Sequence, residues 1–309
     1  MTPELLAPAW LWIAVTIWAA FAQTVRNAAQ RSLTTELGTL GATLVRFLYG
    51  LPFAGAWLWA VQLWTGQPVP AANVVFWAWA GLGAVSQIAA TALLLRAMQE
   101  RNFTLGVAYS KTEILQVAVI ALVFLGDPIT LATGIAVLAG TLGVLLLSPA
   151  DRQRPLRAML AGWTTRASLL GIASGTAFAL AAVGFRGATL ALPGAGFLIA
   201  AAATLFAAQL VQTALLGGWL AVREPSVIGK AARAWRASLL AGFMGAAASA
   251  GWFTGLALAP AAHVRTLGLV ELVFAYILSM KLFRERLTRL ELAGMALLVV
   301  GVATVTLGR

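Results

Sequence analysis

The chain has 309 residues, of which 61% are hydrophobic and only 10% charged, with a mean hydropathy of +0.89. A soluble domain carries about 25% charged residues, so a water-soluble globule is excluded. No cysteine and a single histidine remove disulfides, thiol chemistry and multi-histidine metal sites, and the formal charge of +11 is scattered through short loops, which argues against nucleic acid.

A spanning helix needs about 20 mostly apolar residues. Taken in chain order, ten segments qualify: roughly 8–27, 38–63, 73–97, 103–125, 129–148, 167–188, 195–221, 237–258, 262–282 and 288–307. They are long and lack period-two alternation, so they read as helices and not as barrel strands. Turn chemistry marks the breaks, at Gly66-Gln67-Pro68, Gly126-Asp127-Pro128, Pro193-Gly194, Pro225 and Pro260. The first apolar segment lacks a basic flank and continues at spanning length, so it is expected to remain a helix and not be cleaved. The basic stretch 149–166, with Arg152, Arg154 and Arg157, reads as the cytoplasmic linker between halves 8–148 and 167–307.

Loops after the odd-numbered spans carry most of the basic residues, among them Arg26, Arg31, Arg96, Arg101, Arg223, Lys230 and Lys281. Only Arg186 and Arg309 fall on the opposite side. The positive-inside rule then places both termini outside.

The two halves repeat each other. At an offset of 158, Glu113 falls on Glu271, Asp127 on Glu285 and Thr130 on Thr288; after a two-residue adjustment Gly134 falls on Gly294. Upstream, IAVTIWAAFA (13–22) is similar to IASGTAFALA (172–181). Five spans per half would set the second half in upside down, the plan of a secondary transporter with its site near the bilayer midplane.

These residues resemble the EamA type of the drug/metabolite transporter superfamily. The matches are Glu113…Gly126-Asp127…Thr130…Gly134, then Glu271…Glu285-Arg286-Leu287-Thr288…Gly294, and Arg46-Phe47 in the second span. The chain departs where Ile114 and Leu272 replace a proline after each glutamate, and where Arg284 replaces a glycine. The missing prolines predict less kinked fourth and ninth spans. The resemblance implies ten helices in two five-helix repeats and transport of small metabolites, often export. It implies no particular cargo.

Ionisable groups inside a membrane cost about 2.5–3.5 kcal/mol each on insertion scales, so each calls for a reason. Here they are Arg46, Lys111, Glu113, His263, Arg265 and Glu271. Glu113 shares a helix face with Tyr109 and Gln116, offering a carboxylate, a phenol and an amide to a substrate or a proton. The competing reading is an ion pair with Arg46, Lys111 or Arg265. Glu271 is expected to pair with Arg265 or Arg46. Arg46 offers a bidentate fork to a substrate carboxylate, or a packing role. His263, after Pro260, reads as an interfacial, solvated histidine. Trp12, Thr16, Gln23, Asn27 and Gln30 form a polar stripe on the first span, with smaller pairs at Gln87 and Thr91 and at Gln209 and Gln212. Trp57, Trp59, Trp64, Trp77 and Trp79 read as an aromatic belt. The run 242–255, rich in glycine and alanine, suits close helix packing.

The sequence therefore predicts an all-α membrane protein with ten transmembrane helices in two inverted five-helix repeats. It would be a multi-pass secondary transporter of amino-acid-like or other amphipathic metabolites in a bacterial inner membrane, exporting by alternating access. Its partners would be the lipid bilayer, a small-molecule substrate and protons as a candidate coupling ion, with no nucleic acid, no metal and no cofactor, as a monomer or homodimer. No phosphate-binding loop for ATP is present. A membrane-embedded lipid-modifying enzyme and a non-transporting scaffold are the alternatives; an enzyme is not expected.

Overall fold

The computed structural model describes residues 8–100, 110–111, 113–146 and 166–283, and within 293–304 all but 295, 298 and 302. The elements are α1 Leu11–Leu48, α2 Leu51–Thr65, α3 Val74–Glu100, α4 Glu113–Leu125, α5 Leu131–Leu146, α6 Arg166–Leu190, α7 Phe197–Arg223, α8 Pro225–Arg233, α9 Trp235–Leu258, α10 Ala261–Leu267 and α11 Val270–Phe283. No strand occurs among the described residues. Among the described residues, six segments are long and apolar enough to cross a membrane: Leu11–Thr65, Val74–Glu100, Arg166–Leu190, Phe197–Arg223, Trp235–Leu258 and Ala261–Leu278. The linker 149–166, except Arg166, lies outside the described residues, as do Tyr109 and the repeat motif Glu285–Thr288.

The first segment, 55 residues long, would extend about 80 Å at 1.5 Å per residue, more than twice the thickness of a hydrocarbon core. It bends where the backbone demands it. Gly38 has φ 68° and ψ 176°, a conformation that side chains with a Cβ disfavour. Pro52 stands in the first turn of α2, where its missing N–H breaks no helical bond. The expected break after residue 27 is absent. α1 runs on to Gly38 because Gln23, Asn27, Gln30, Leu33 and Leu37 continue one buried stripe at helical spacing. Arg26, expected in a loop, is a buried helical residue, 0% exposed.

The chain divides into two compact units, each drawing on both halves of the sequence. The first comprises residues 1–85 and 181–260; the second comprises 86–180 and 261–309. In the first unit α9 lies against α1 through small residues. A Cβ on Gly242 would come within 2.5 Å of the Tyr49 backbone, and one on Gly251 within 2.6 Å of the Val15 carbonyl oxygen. The small-residue run is thus a close helix contact. The amino-terminal half of α3 meets the carboxy-terminal half of α6 in the same way, with Gly184 against the Gly83 backbone. Arg186 closes the end of α9, its Nη1 donating to the carbonyls of Leu256 (2.5 Å) and Ala259 (2.9 Å). Phe76, Ala80, Ala188, Leu192 and Ala200 form part of the apolar core between α3, α6 and α7. Of the five tryptophans read as a belt, Trp59, Trp64 and Trp77 are exposed, whereas Trp57 and Trp79 are half-buried against apolar core residues.

In the second unit α4 ends at Gly126, whose φ of 68° lets its N–H reach Leu122 O and that of Asp127 reach Ala121 O. This turn aims Asp127 at α10, where a carboxylate oxygen accepts the Ala261 N–H at 3.0 Å. His263 is half-buried, not solvated, and its Nε2 lies 2.7 Å from Thr133 Oγ1. Gly140 packs under Leu269, and Gly301 against the Ala136 carbonyl.

Candidate functional site

Four charged side chains converge in the second unit. Lys111 occupies the turn before α4, and Glu113 opens that helix. Arg265 belongs to α10, and Glu271 to the first turn of α11. Lys111 Nζ lies 2.5 Å from Glu271 Oε2 and 4.0 Å from Glu113 Oε1. Arg265 Nη1 stands 3.7 Å from the same Glu113 oxygen. None of the four is more than 6% exposed. Their formal charges cancel, which is the condition under which such groups persist in a low-dielectric interior.

Local backbone geometry places both carboxylates. Each glutamate sits where a helix begins, and unsatisfied N–H groups there favour negative charge. The two sites share a backbone detail: Ile114 N–H donates to Lys111 O at 3.3 Å, and Leu272 N–H to Leu269 O at 2.9 Å, positions related by the repeat offset. The expectation of less kinked fourth and ninth spans fails at the latter. α10 stops at Leu267 and α11 starts at Val270 without any proline. Gly268, a poor helix former, and the shortened bond from Leu269 N–H to Thr266 O supply the interruption instead.

The arrangement resolves the pairing that the sequence left open. Glu113 meets Lys111 and Arg265, two of its three proposed partners, while Arg46 belongs to the first unit. Glu271 meets Lys111, a pairing not anticipated from sequence. Tyr109 is outside the described residues, and Gln116 is half-buried on α4. Gln87 is buried on α3 in the second unit, one turn before the buried Thr91.

The first unit gathers the other candidates. The polar stripe of α1 is buried throughout, and Gln23 Oε1 accepts the Trp252 Nε1–H of α9 at 2.9 Å. Gln30 Nε2 donates to Ala42 O at 2.7 Å, across the Gly38 bend. Arg46 is 1% exposed, with its guanidinium 5.2 Å from the Phe47 ring centroid. Arg26, the residue that sequence reasoning missed, donates from Nη2 to Asn27 Oδ1 at 2.6 Å. Its signal was the i, i+3, i+7 spacing of Gln23, Arg26 and Gln30. Gln209 on α7 is buried, and neither of its amide atoms has a hydrogen-bond partner.

A cavity of about 690 Å³ opens in this unit, lined by Leu11, Val15, Phe53, Trp57, Phe243 and Thr254 among others. It holds none of the polar candidates. Its chemistry suits an apolar group, with Thr254 supplying the one hydroxyl on the wall.

No family model and no curated protein matches this chain. A solved structure described only as the crystal structure of a protein aligns over 96% of this chain and 96% of its own, with a TM-score of 0.68 at 17% identity. The likeness shows a shared fold over nearly the whole chain.

Proposed function

We infer that this chain is a secondary-active transporter of small metabolites, of the EamA type within the drug/metabolite transporter superfamily. In this reading ten spanning helices form two inverted five-helix repeats in a bacterial inner membrane, with both termini outside. The long first segment supplies two spans, and the shorter apolar helices α4 and α5 contribute to two more. The halves rock about a central path, and cargo leaves the cell by alternating access.

The observation that carries the reading is the meeting of Glu113 and Glu271. Equivalent residues of a duplicated sequence rarely reach one cluster unless the duplication builds a shared site. Lys111 stands between them, 2.5 Å from Glu271 Oε2 and 4.0 Å from Glu113 Oε1. A cation held between two carboxylates from different parts of the chain is the kind of element whose alternative pairings an alternating-access cycle would use.

The test is flux in proteoliposomes loaded with a pH-sensitive dye and challenged with amino acids and organic acids. A solute-dependent proton signal absent from protein-free vesicles is expected, and E113Q should flatten its dependence on pH. If no solute of either panel moves, the transport reading fails. Orientation is checked separately: the protein has no cysteine, so single cysteines placed at each terminus report their side by labelling with an impermeant maleimide.

A further inference from the structure

Between Thr213 and Ala262 the chain carries Arg223, Lys230, Arg233 and Arg236 against a single acid, Glu224. All four cations belong to the corner of the first unit where α7 ends, α8 crosses and α9 begins. Each of them is exposed. Among the described residues no carboxylate forms an ion pair with any of the four, Glu224 included.

The corner is firmly anchored. Val227 and Ala231, one turn apart on α8, are buried, while Lys230 and Arg233 occupy its exposed side. Val227 Cγ1 lies 2.7 Å from where a Cβ on Gly41 would stand, so the glycine on α1 admits α8 closely. The Tyr49 hydroxyl donates to the Ala231 carbonyl oxygen at 3.1 Å. The basic side chains thus project from a fixed support.

Apolar surface adjoins this charge. On α7, Leu215, Trp219 and Val222 follow at helical spacing and are exposed, Val222 by 82%, and Arg223 comes next. On α9, Trp235 and Arg236 come first, with the guanidinium 5.4 Å from the indole centroid, and Leu239 and Phe243 continue an exposed strip. Each helix therefore passes from exposed apolar side chains to tryptophan or valine and then arginine at the end that α8 joins. Contiguous exposed apolar strips mark an interaction or membrane surface, and tryptophan and arginine suit the level where hydrocarbon gives way to headgroups.

We propose that this corner binds anionic phospholipids, with Arg223, Lys230, Arg233 and Arg236 around the headgroups and the acyl chains along the strips of α7 and α9. Charge complementarity selects an anion, and the adjoining strips select an amphiphile over a free phosphate. The proposal rests on the reading that α7 and α9 cross a bilayer; it needs no transported solute.

The experiment uses the purified full-length protein, delipidated in neutral detergent. Thermal unfolding is followed in mixed micelles titrated with dioleoylphosphatidylglycerol or dioleoylphosphatidylcholine, and in inorganic phosphate without lipid. Phosphatidylglycerol is expected to raise the midpoint more than phosphatidylcholine at the same mole fraction, and phosphate to leave it unchanged. R223Q/R236Q and K230Q/R233Q should each raise the half-maximal mole fraction of phosphatidylglycerol by about fivefold or more, because each cation adds to the attraction of an anionic surface. Native mass spectrometry gives a readout independent of unfolding: phosphatidylglycerol should stay on the wild type and be lost from both variants. Equal stabilisation by the two lipids, a shift reproduced by phosphate alone, or unchanged binding in both variants overturns the site. The bilayer reading is checked apart. Wild type stripped from phosphatidylcholine vesicles by carbonate removes that reading and the lipid site with it. Protein retained in those vesicles but indifferent to headgroup charge removes the site alone. Phosphatidylglycerol binding lost in the variants, with no flux of any solute in proteoliposomes, removes the transporter and leaves the site.

Discussion

Lys111 and Glu271 are 160 residues apart and form the closest ion pair among the described residues, with Nζ 2.5 Å from Oε2 and both side chains almost wholly buried. The pair ties the turn before α4 to the first turn of α11, so each helix start is fixed by a residue of the other half.

Removing one member should therefore be far worse than removing both. Loss of one partner from a buried pair leaves an uncompensated charge and costs about 3–5 kcal/mol, while an apolar replacement of the pair is close to neutral. K111M is expected to lower the thermal midpoint strongly, because it removes the cation closest to Glu271 and weakens the hold on Glu113. K111M/E271M should recover most of the loss. A double variant no more stable than K111M would show that the pair does not act as a unit. The measurement is thermal unfolding of the purified single and double variants in one detergent.

The contact of α1 with α9 makes a second, steric prediction. At Gly242 a Cβ would meet the backbone of Tyr49 and Gly50, which cannot step aside as a flexible side chain can. G242A is expected to destabilise by about 1–3 kcal/mol through overpacking. A methyl group added at Gly229 on α8 would meet nothing within 4 Å, so G229A should be neutral or stabilising by up to about 1 kcal/mol from helix propensity. Equal midpoints for the two variants would contradict the close crossing.

The third concerns Asp127. Its carboxylate accepts the Ala261 N–H just after Pro260, where α10 begins. D127A should cost about 0.5–2 kcal/mol, the usual range for a lost helix cap, whereas D127N keeps an oxygen acceptor and should lose little. Hydrogen exchange followed by mass spectrometry reads this locally. Peptides covering 261–267 should exchange faster in D127A than in wild type, with those of α7 unchanged.

Hydropathy made the helices legible, because long apolar runs without period-two alternation read as helices. It failed where polar residues are buried against neighbouring helices. The segment 28–37 read as a loop because polar residues such as Gln30, Arg31 and Glu36 interrupt the apolar run, yet the buried stripe through Gln30, Leu33 and Leu37 keeps it helical. The break between α10 and α11 was missed for the converse reason: without a proline, nothing in the composition of that segment announces it, and Gly268 with a shortened hydrogen bond suffices. Of the site, the membership of Lys111, Glu113, Arg265 and Glu271 was visible as charge in apolar surroundings. Which carboxylate each cation meets was not, since the answer depends on how α4, α10 and α11 pack.

The sequence by itself determined that the chain is helical and rich in apolar segments long enough to cross a membrane, because composition and periodicity are properties of the linear order. Tertiary structure alone decided that Lys111 lies between Glu113 and Glu271, and that Arg26 and Arg46 flank Gly245 inside the first unit. The reason is physical: hydropathy averages over every face of a helix, while a buried charge is stabilised only by the particular groups a few ångströms from it.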